Sequence, residues 1–246
     1  MRTLSFAALL LLTFSLNAQA PVAVPIPKEP HHHLVLENDY VRVFRVSVPA
    51  HEATLLHQHD VPYVYVSLGP ADVINAVQGK PEAHLVMADG QVGYSRGGFA
   101  HVARNESDAP FNNVTIELLK PQGEPHNWCD KVAPSDPTDC RQSTHLGAKS
   151  VPSFTTSEIK VFSDSLDSEV STRYEPFSDV LVVILNDSEL SVSFDRRSDN
   201  LDPGQVLWIP SHANHEMRKL VFKNLRKESS HYLLIFFEDN AAATRS

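Results

Sequence analysis

The feature that most constrains this chain is a pair of histidines one residue apart, His57 and His59, leading into Tyr63-Val64-Tyr65-Val66-Ser67-Leu68. Side chains on a strand alternate between its two faces, so residues two apart point the same way. His57, His59, Tyr63 and Tyr65 are therefore expected on one face, with Val64 and Val66 on the other. Some forty residues further, His101 follows Gly90, Gly97 and Gly98, which permit tight turns. Such a histidine could face the first pair across a small barrel. Seventeen prolines and few segments of helical period point to an all-β chain.

The spacing resembles the cupin family. The first cupin motif has two histidines one apart and a glutamate four or five residues on. The second runs from a glycine to a proline, a glycine, a histidine and an asparagine. Gly90, Gly98, His101 and Asn105 fall on the second motif in register, with Arg96 at the proline position. His57 and His59 match the first, but Tyr63 (Val64 under the longer spacing) stands at the glutamate position and His51 at the leading glycine. The closing glycine appears as Gly69, one residue early. The resemblance implies an all-β fold of cupin-like double-stranded β-helix (jelly-roll) barrels, with His57, His59 and His101 holding a divalent metal. The missing glutamate removes the carboxylate that the family's usual metal set contains.

The pattern repeats in degraded form. Gly204 to Pro210 parallels the second motif and leads to His215, with His212 in place of the later glycine. Val180 to Leu185 parallels the strand at Tyr63, which sets Tyr174 and Pro176 where His57 and His59 stand. The expectation is two barrels in tandem, with the metal site in the first only. Residues 1–20 read as a secretory signal, 21–33 as a Pro/His-rich tether and 34–121 as the barrel with the metal site. Residues 122–150 read as a linker and 151–240 as the degenerate barrel.

The signal has Arg2, an apolar run from Phe6 to Leu16 and a small-residue cleavage site at Ala18-Gln19-Ala20, too short a run to span a bilayer comfortably. The protein is thus expected to be exported, periplasmic or secreted. In that setting Cys129 and Cys140, the only cysteines, are most simply a disulfide. His31-His32-His33 reads as polar residues leading into a strand, or as a patch that scavenges metal. The net charge of −9 without a basic run argues against nucleic acid and anionic membrane surfaces as partners. A small-molecule ligand is the expected partner, and the resemblance implies a possible homodimer through outer strands.

Three neutral imidazoles leave the charge of a divalent ion uncompensated, which favours an anionic or enolisable ligand. Imidazole suits Fe, Zn, Ni, Cu and, less well, Mn, so the ion's identity stays open. Tyr63 and Tyr65 are the candidate catalytic groups: a phenol beside a cation can act as base, donor or ligand, or simply fill the barrel. Glu117, on the face opposite Val114, Ile116 and Leu118, is a candidate for the missing carboxylate or an exposed strand residue. Arg96 reads as a clamp for a substrate carboxylate or as a solvated turn residue, and Asn105 as the fastener of a turn. Two classes of function remain. One is an exported metalloenzyme of oxygenase, isomerase or lyase type acting on a small organic acid, phenol or sugar derivative. The other is a non-catalytic binding or structural module.

Overall fold

The computed structural model describes residues 22–126, 143–145, 148–176, 178–211 and 219–238. The expected signal, the Cys129–Cys140 pair, His212 and His215 lie outside these residues. Among the described residues no helix is long and apolar enough to cross a membrane.

The N-terminal half contributes ten strands: β1 Val24–Pro25, β2 His32–Glu37, β3 Val41–Val48, β4 His57–His59, β5 Tyr63–Ser67, β6 Ala71–Val77, β7 Ala83–Met87, β8 Val92–Ser95, β9 Phe99–Asn105 and β10 Phe111–Leu118. They form two facing five-stranded sheets, ordered β1-β4-β9-β6-β7 and β2-β3-β10-β5-β8. The C-terminal half repeats the plan with β11 Ser143–His145, β12 Ala148–Thr155, β13 Ile159–Leu166, β14 Ser171–Tyr174 and β15 Asp179–Ile184. It continues with β16 Leu190–Phe194, β17 Arg197–Leu201, β18 Val206–Ile209, β19 Leu220–Asn224 and β20 Ser230–Phe237. Its sheets are ordered β11-β12-β13-β20-β15-β18 and β14-β19-β16-β17.

One sheet from each barrel meets the other back to back. Val64, Val66, Val114 and Ile116 of the first pack with Leu181, Val183, Leu233 and Ile235 of the second in one buried cluster. Each such side chain contributes about 1.5–3 kcal/mol when fully buried. This contact explains why Val180 to Leu185 is apolar at every position. Its odd-numbered residues face the other barrel, while Val180, Val182 and Ile184 fill the barrel's own interior. In β5 the same split leaves Tyr63 and Tyr65 pointing inward, because Val64 and Val66 supply the contact between barrels.

The N-terminal segment departs from expectation. Residues 24–33 are part of the first barrel, not a tether. β1 pairs parallel with β4, matching Val24 with His57, and Ile26 is buried in the core beside Phe44 and Val46. β2 pairs antiparallel with β3, matching His32 with Val46.

Candidate metal centre

Strand pairing brings the three predicted histidines together. β4 and β9 run antiparallel with His57 directly opposite His101 and His59 opposite Phe99. The turn before β9 closes tightly against β4: the Gly98 amide donates to the His59 carbonyl at 2.6 Å. Gly97 has φ +66°, and a Cβ there would lie 2.2 Å from the Val61 carbonyl oxygen. That approach requires glycine. The ring centroids of His57 and His101 are 4.4 Å apart, those of His57 and His59 5.1 Å, and those of His59 and His101 5.0 Å.

All three rings are buried, and the outer nitrogens of His57 and His101 are fixed. His57 Nδ1–H donates to the Leu55 carbonyl at 2.9 Å, and His101 Nδ1–H to Asn75 Oδ1 at 2.6 Å. A carbonyl oxygen only accepts, so the proton sits on Nδ1 and the Nε2 lone pair is free. His57 Nε2, His101 Nε2 and His59 Nδ1 are buried without a hydrogen-bond partner in the protein. An unsatisfied buried polar atom costs about 1–3 kcal/mol. Three of them on neighbouring rings, with the outer nitrogens of His57 and His101 held by carbonyls, suit a metal site. Burial, with the neighbouring histidines adding, pushes His57 down to about 4, His59 to about 2 and His101 to about 3. All three are neutral near pH 7, the form that binds metal.

A fourth histidine, His32, joins them. One ligand atom from each of His32, His57 and His59 lies within 4.8 Å of the other two. By ring centroid His32 lies 4.8 Å from His57 and 6.4 Å from His59, against 4.4 Å and 5.0 Å for the motif histidine His101. His32 Nδ1 bonds Glu29 Oε2 at 2.6 Å. Burial alone would raise the Glu29 carboxyl, but the bond and charge of His32, with the Leu55 and His31 amides, hold it at about 2. The pairing that buries His32 is long-range, so the His31–His33 run alone shows only a lead-in to a strand or a metal-scavenging patch.

The tyrosines line the same cavity. Tyr63 stacks on the His59 ring at 4.1 Å, and its hydroxyl hydrogen-bonds Ser95; burial pushes the phenol up to about 12. Tyr65 lies across from Gly93 on β8, where a Cβ would meet its ring at 2.2 Å. Gly93 is therefore what admits the ring, and burial raises the Tyr65 phenol too. The other candidates lie elsewhere. Glu117 is buried on the inward face but pairs with Arg42 at 2.8 Å, outside the histidine cluster. Arg96 is exposed and pairs with Glu124. Asn105 fastens the turn after β9, donating to the Val48, Pro49 and Ala109 carbonyls.

The cavity measures about 280 Å3. Tyr63, Tyr65, Tyr94, Phe99 and Met87 supply aromatic and apolar wall, and Asn75, Asn113 and Thr115 supply polar groups. No Asp, Glu, Lys or Arg is among the described residues that line it.

The second barrel has no such site among its described residues. Tyr174 pairs with Leu220 as His57 pairs with His101, so the residue in the place of His101 is Leu220 and not His215. Asn224 confirms the register: it donates to the Leu166 and Glu228 carbonyls as Asn105 does to Val48 and Ala109. The connection between β18 and β19 is longer than that between β8 and β9, which is why counting from Gly204 arrives at the wrong histidine.

Two jelly-roll barrels in tandem, one with a buried imidazole cluster, define a cupin fold of the two-barrel kind. Known structures agree. The chain is similar to AerE from Microcystis aeruginosa over 86% of its length and 99% of that chain, at 14% identity and a TM-score of 0.58. It is also similar to an oxalate decarboxylase (92% and 80% covered, 10% identity, TM-score 0.57). A third is the salicylate 1,2-dioxygenase of Pseudoaminobacter salicylatoxidans, solved with gentisate adducts (80% and 68% covered, 10% identity, TM-score 0.55). No protein-family model and no curated protein sequence matches the chain. At these identities the likeness establishes the fold.

Proposed function

We propose that the N-terminal barrel holds one divalent metal ion through His57, His59 and His101 and uses it to oxidise a small phenol or aromatic acid with oxygen. The observation that carries this reading is the set of three buried, unpartnered imidazole nitrogens facing an aromatic-walled cavity. When bound, the ion supplies positive charge and open coordination positions for an anionic ligand. The protein's residues do the rest. With no Arg or Lys among the described lining residues, a substrate's charge would find its partner in the ion. Tyr63, Tyr65 and Phe99 offer flat surfaces to a ring, and Asn113 and Thr115 offer hydrogen bonds to its substituents. The lack of a carboxylate among the described lining residues disfavours isomerase and lyase chemistry that relies on a carboxylate as general acid or base near neutral pH. The dioxygenase among the similar folds acts in the same chemical direction.

The same lack of a lining carboxylate favours a second reading, a metal-dependent binding module without turnover. Metal analysis of tag-free protein, followed by oxygen uptake with a panel of phenols, catechols and aromatic acids, separates the two. Uptake that disappears in His59→Ala supports the oxygenase. Tight binding of a panel member without uptake supports the binding module, and protein that takes up no metal rejects both. Export rests on residues 1–20 and is tested by the N-terminal sequence of the protein recovered outside the cytoplasm. The homodimer that the resemblance implies is tested by mass in solution.

A further inference from the structure

The segment Glu29–His32 lies against the imidazole cluster and belongs to neither sequence motif. His32 is 8% exposed and Glu29 1%, so both are inside the barrel. Glu29 is a hub. Its Oε2 accepts from His32 Nδ1 at 2.6 Å and from the His31 amide at 2.8 Å, and its Oε1 accepts from the Leu55 amide at 3.1 Å. Leu55 in turn uses its carbonyl to hold His57 Nδ1. One carboxylate thus orients His32 directly and His57 through a single residue. With Nδ1 bound to Glu29, His32 has Nε2 left as its ligand atom, and the residue lines the cavity. Its ring centroid is 4.8 Å from that of His57, on a cluster whose ligand atoms fit within 4.8 Å.

We infer that His32 is a fourth metal ligand and that Glu29, acting through it, replaces the carboxylate missing at Tyr63. This rests on the metal-binding reading of the same site. The charge argument is direct. Three or four neutral imidazoles leave a divalent ion at two positive charges inside a low-dielectric barrel, where uncompensated charge is costly. A carboxylate one ring away lowers the cluster's net charge to one, as a directly bound carboxylate would. It also makes His32 a stronger donor, since a ring whose outer N–H bonds a carboxylate is more basic. The ion would therefore keep the charge balance of a site with a glutamate ligand, while the cavity wall at Tyr63 stays uncharged. The second barrel supplies a contrast. Ser150 pairs with Asp164 as His32 pairs with Val46, and there the serine only hydrogen-bonds that aspartate.

The full chain without a tag, freed of metal and loaded with Co2+, tests this without any substitution. Proton spectra of the loaded protein resolve the exchangeable N–H of each bound imidazole as a separately shifted signal. Four such signals are expected; three, with His32 unshifted, would overturn the inference while leaving the three-histidine site intact. Chelator competition then measures affinity in His32→Gln and Glu29→Gln. Each should bind Co2+ about 10–100-fold more weakly, the loss typical when a ligand's outer partner is removed. Unchanged affinity in folded variants would contradict the inference. Failure of the unsubstituted chain to bind any Co2+ would instead remove the metal reading on which it stands.

Discussion

The two barrels share a plan and differ in what fills them. In the first, the inward positions of β4, β9, β6 and β10 carry His57, His101, Asn75 and Asn113 around a cavity. Strand pairing places Tyr174, Leu220, Val192 and Tyr232 at the same points of the second. There Phe222 stacks on Tyr232 at 5.2 Å, and Tyr174 hydrogen-bonds both Asp164 and Tyr232. Phe222 occupies the position that Ala103 holds in the first barrel, two residues past the cross-strand partner of β4 or β14. One small residue helps leave room, and one large residue helps close it. The fold tolerates either interior because the apolar layer between the barrels is contributed by the opposite faces of the same strands. Stability and chemistry are thereby assigned to different faces.

This contrast breaks most sharply in acid. In the metal-free chain burial holds His57, His59 and His101 near 4, 2 and 3, below the 6.5 of a free imidazole. Between the two limits the unfolded chain binds protons that the folded chain refuses, so stability is retained above pH 6.5 and falls as pH drops through that window. The slope approaches about 1.4 kcal/mol per pH unit for each histidine. Hydrogen exchange should lose protection first in β4 and β9, while β19 and β20 stay protected. Equal loss in both barrels would show that the interiors are not energetically distinct.

Truncating the filled interior comes next. Phe222→Ala should destabilise the chain by about 3–5 kcal/mol in denaturant unfolding, the usual cost of an empty aromatic site in a packed core. The converse, Ala103→Phe, copies the second barrel into the first. It should block ligand binding while metal content stays unchanged, with overpacking costing at most about 1–3 kcal/mol. Retained ligand affinity would mean that the ligand does not use this cavity.

The smallest effect concerns a feature the barrels share. His51 and Glu169 follow β3 and β13 at the same point of the turn and have φ +59° and +58°. His51 stands where the cupin motif has its leading glycine, and the backbone explains that glycine: a side chain there sits in the left-handed region. His51→Gly and Glu169→Gly should each stabilise by about 0.5–1 kcal/mol, read as a higher denaturation midpoint. Opposite signs would show that the side-chain contacts, such as His51 with Asp108, outweigh the backbone.

Local period and motif spacing made the first barrel readable. The alternation from His57 to Val66 sorts these residues onto the correct two faces, and the glycines before His101 mark a turn that strand pairing closes. What was not legible depends on long-range pairing or on loop length. β1 is two residues long and prolines surround it, so nothing local shows that it lies beside His57. His32 therefore looked like part of a tether. In the second barrel the count from Gly204 failed across a lengthened loop, whereas counting back from Asn224 reaches Leu220 as counting back from Asn105 reaches His101. Glu117 had the correct face, but only the structure shows that Arg42 takes its charge.

The central claim is that one barrel binds a metal and the other, with Tyr174 and Leu220 in the places of His57 and His101, does not. Elemental analysis of the tag-free chain, beside His59→Ala, tests it most directly. The account predicts close to one divalent ion per chain, lost in the variant. An equal metal content in the two proteins would contradict it.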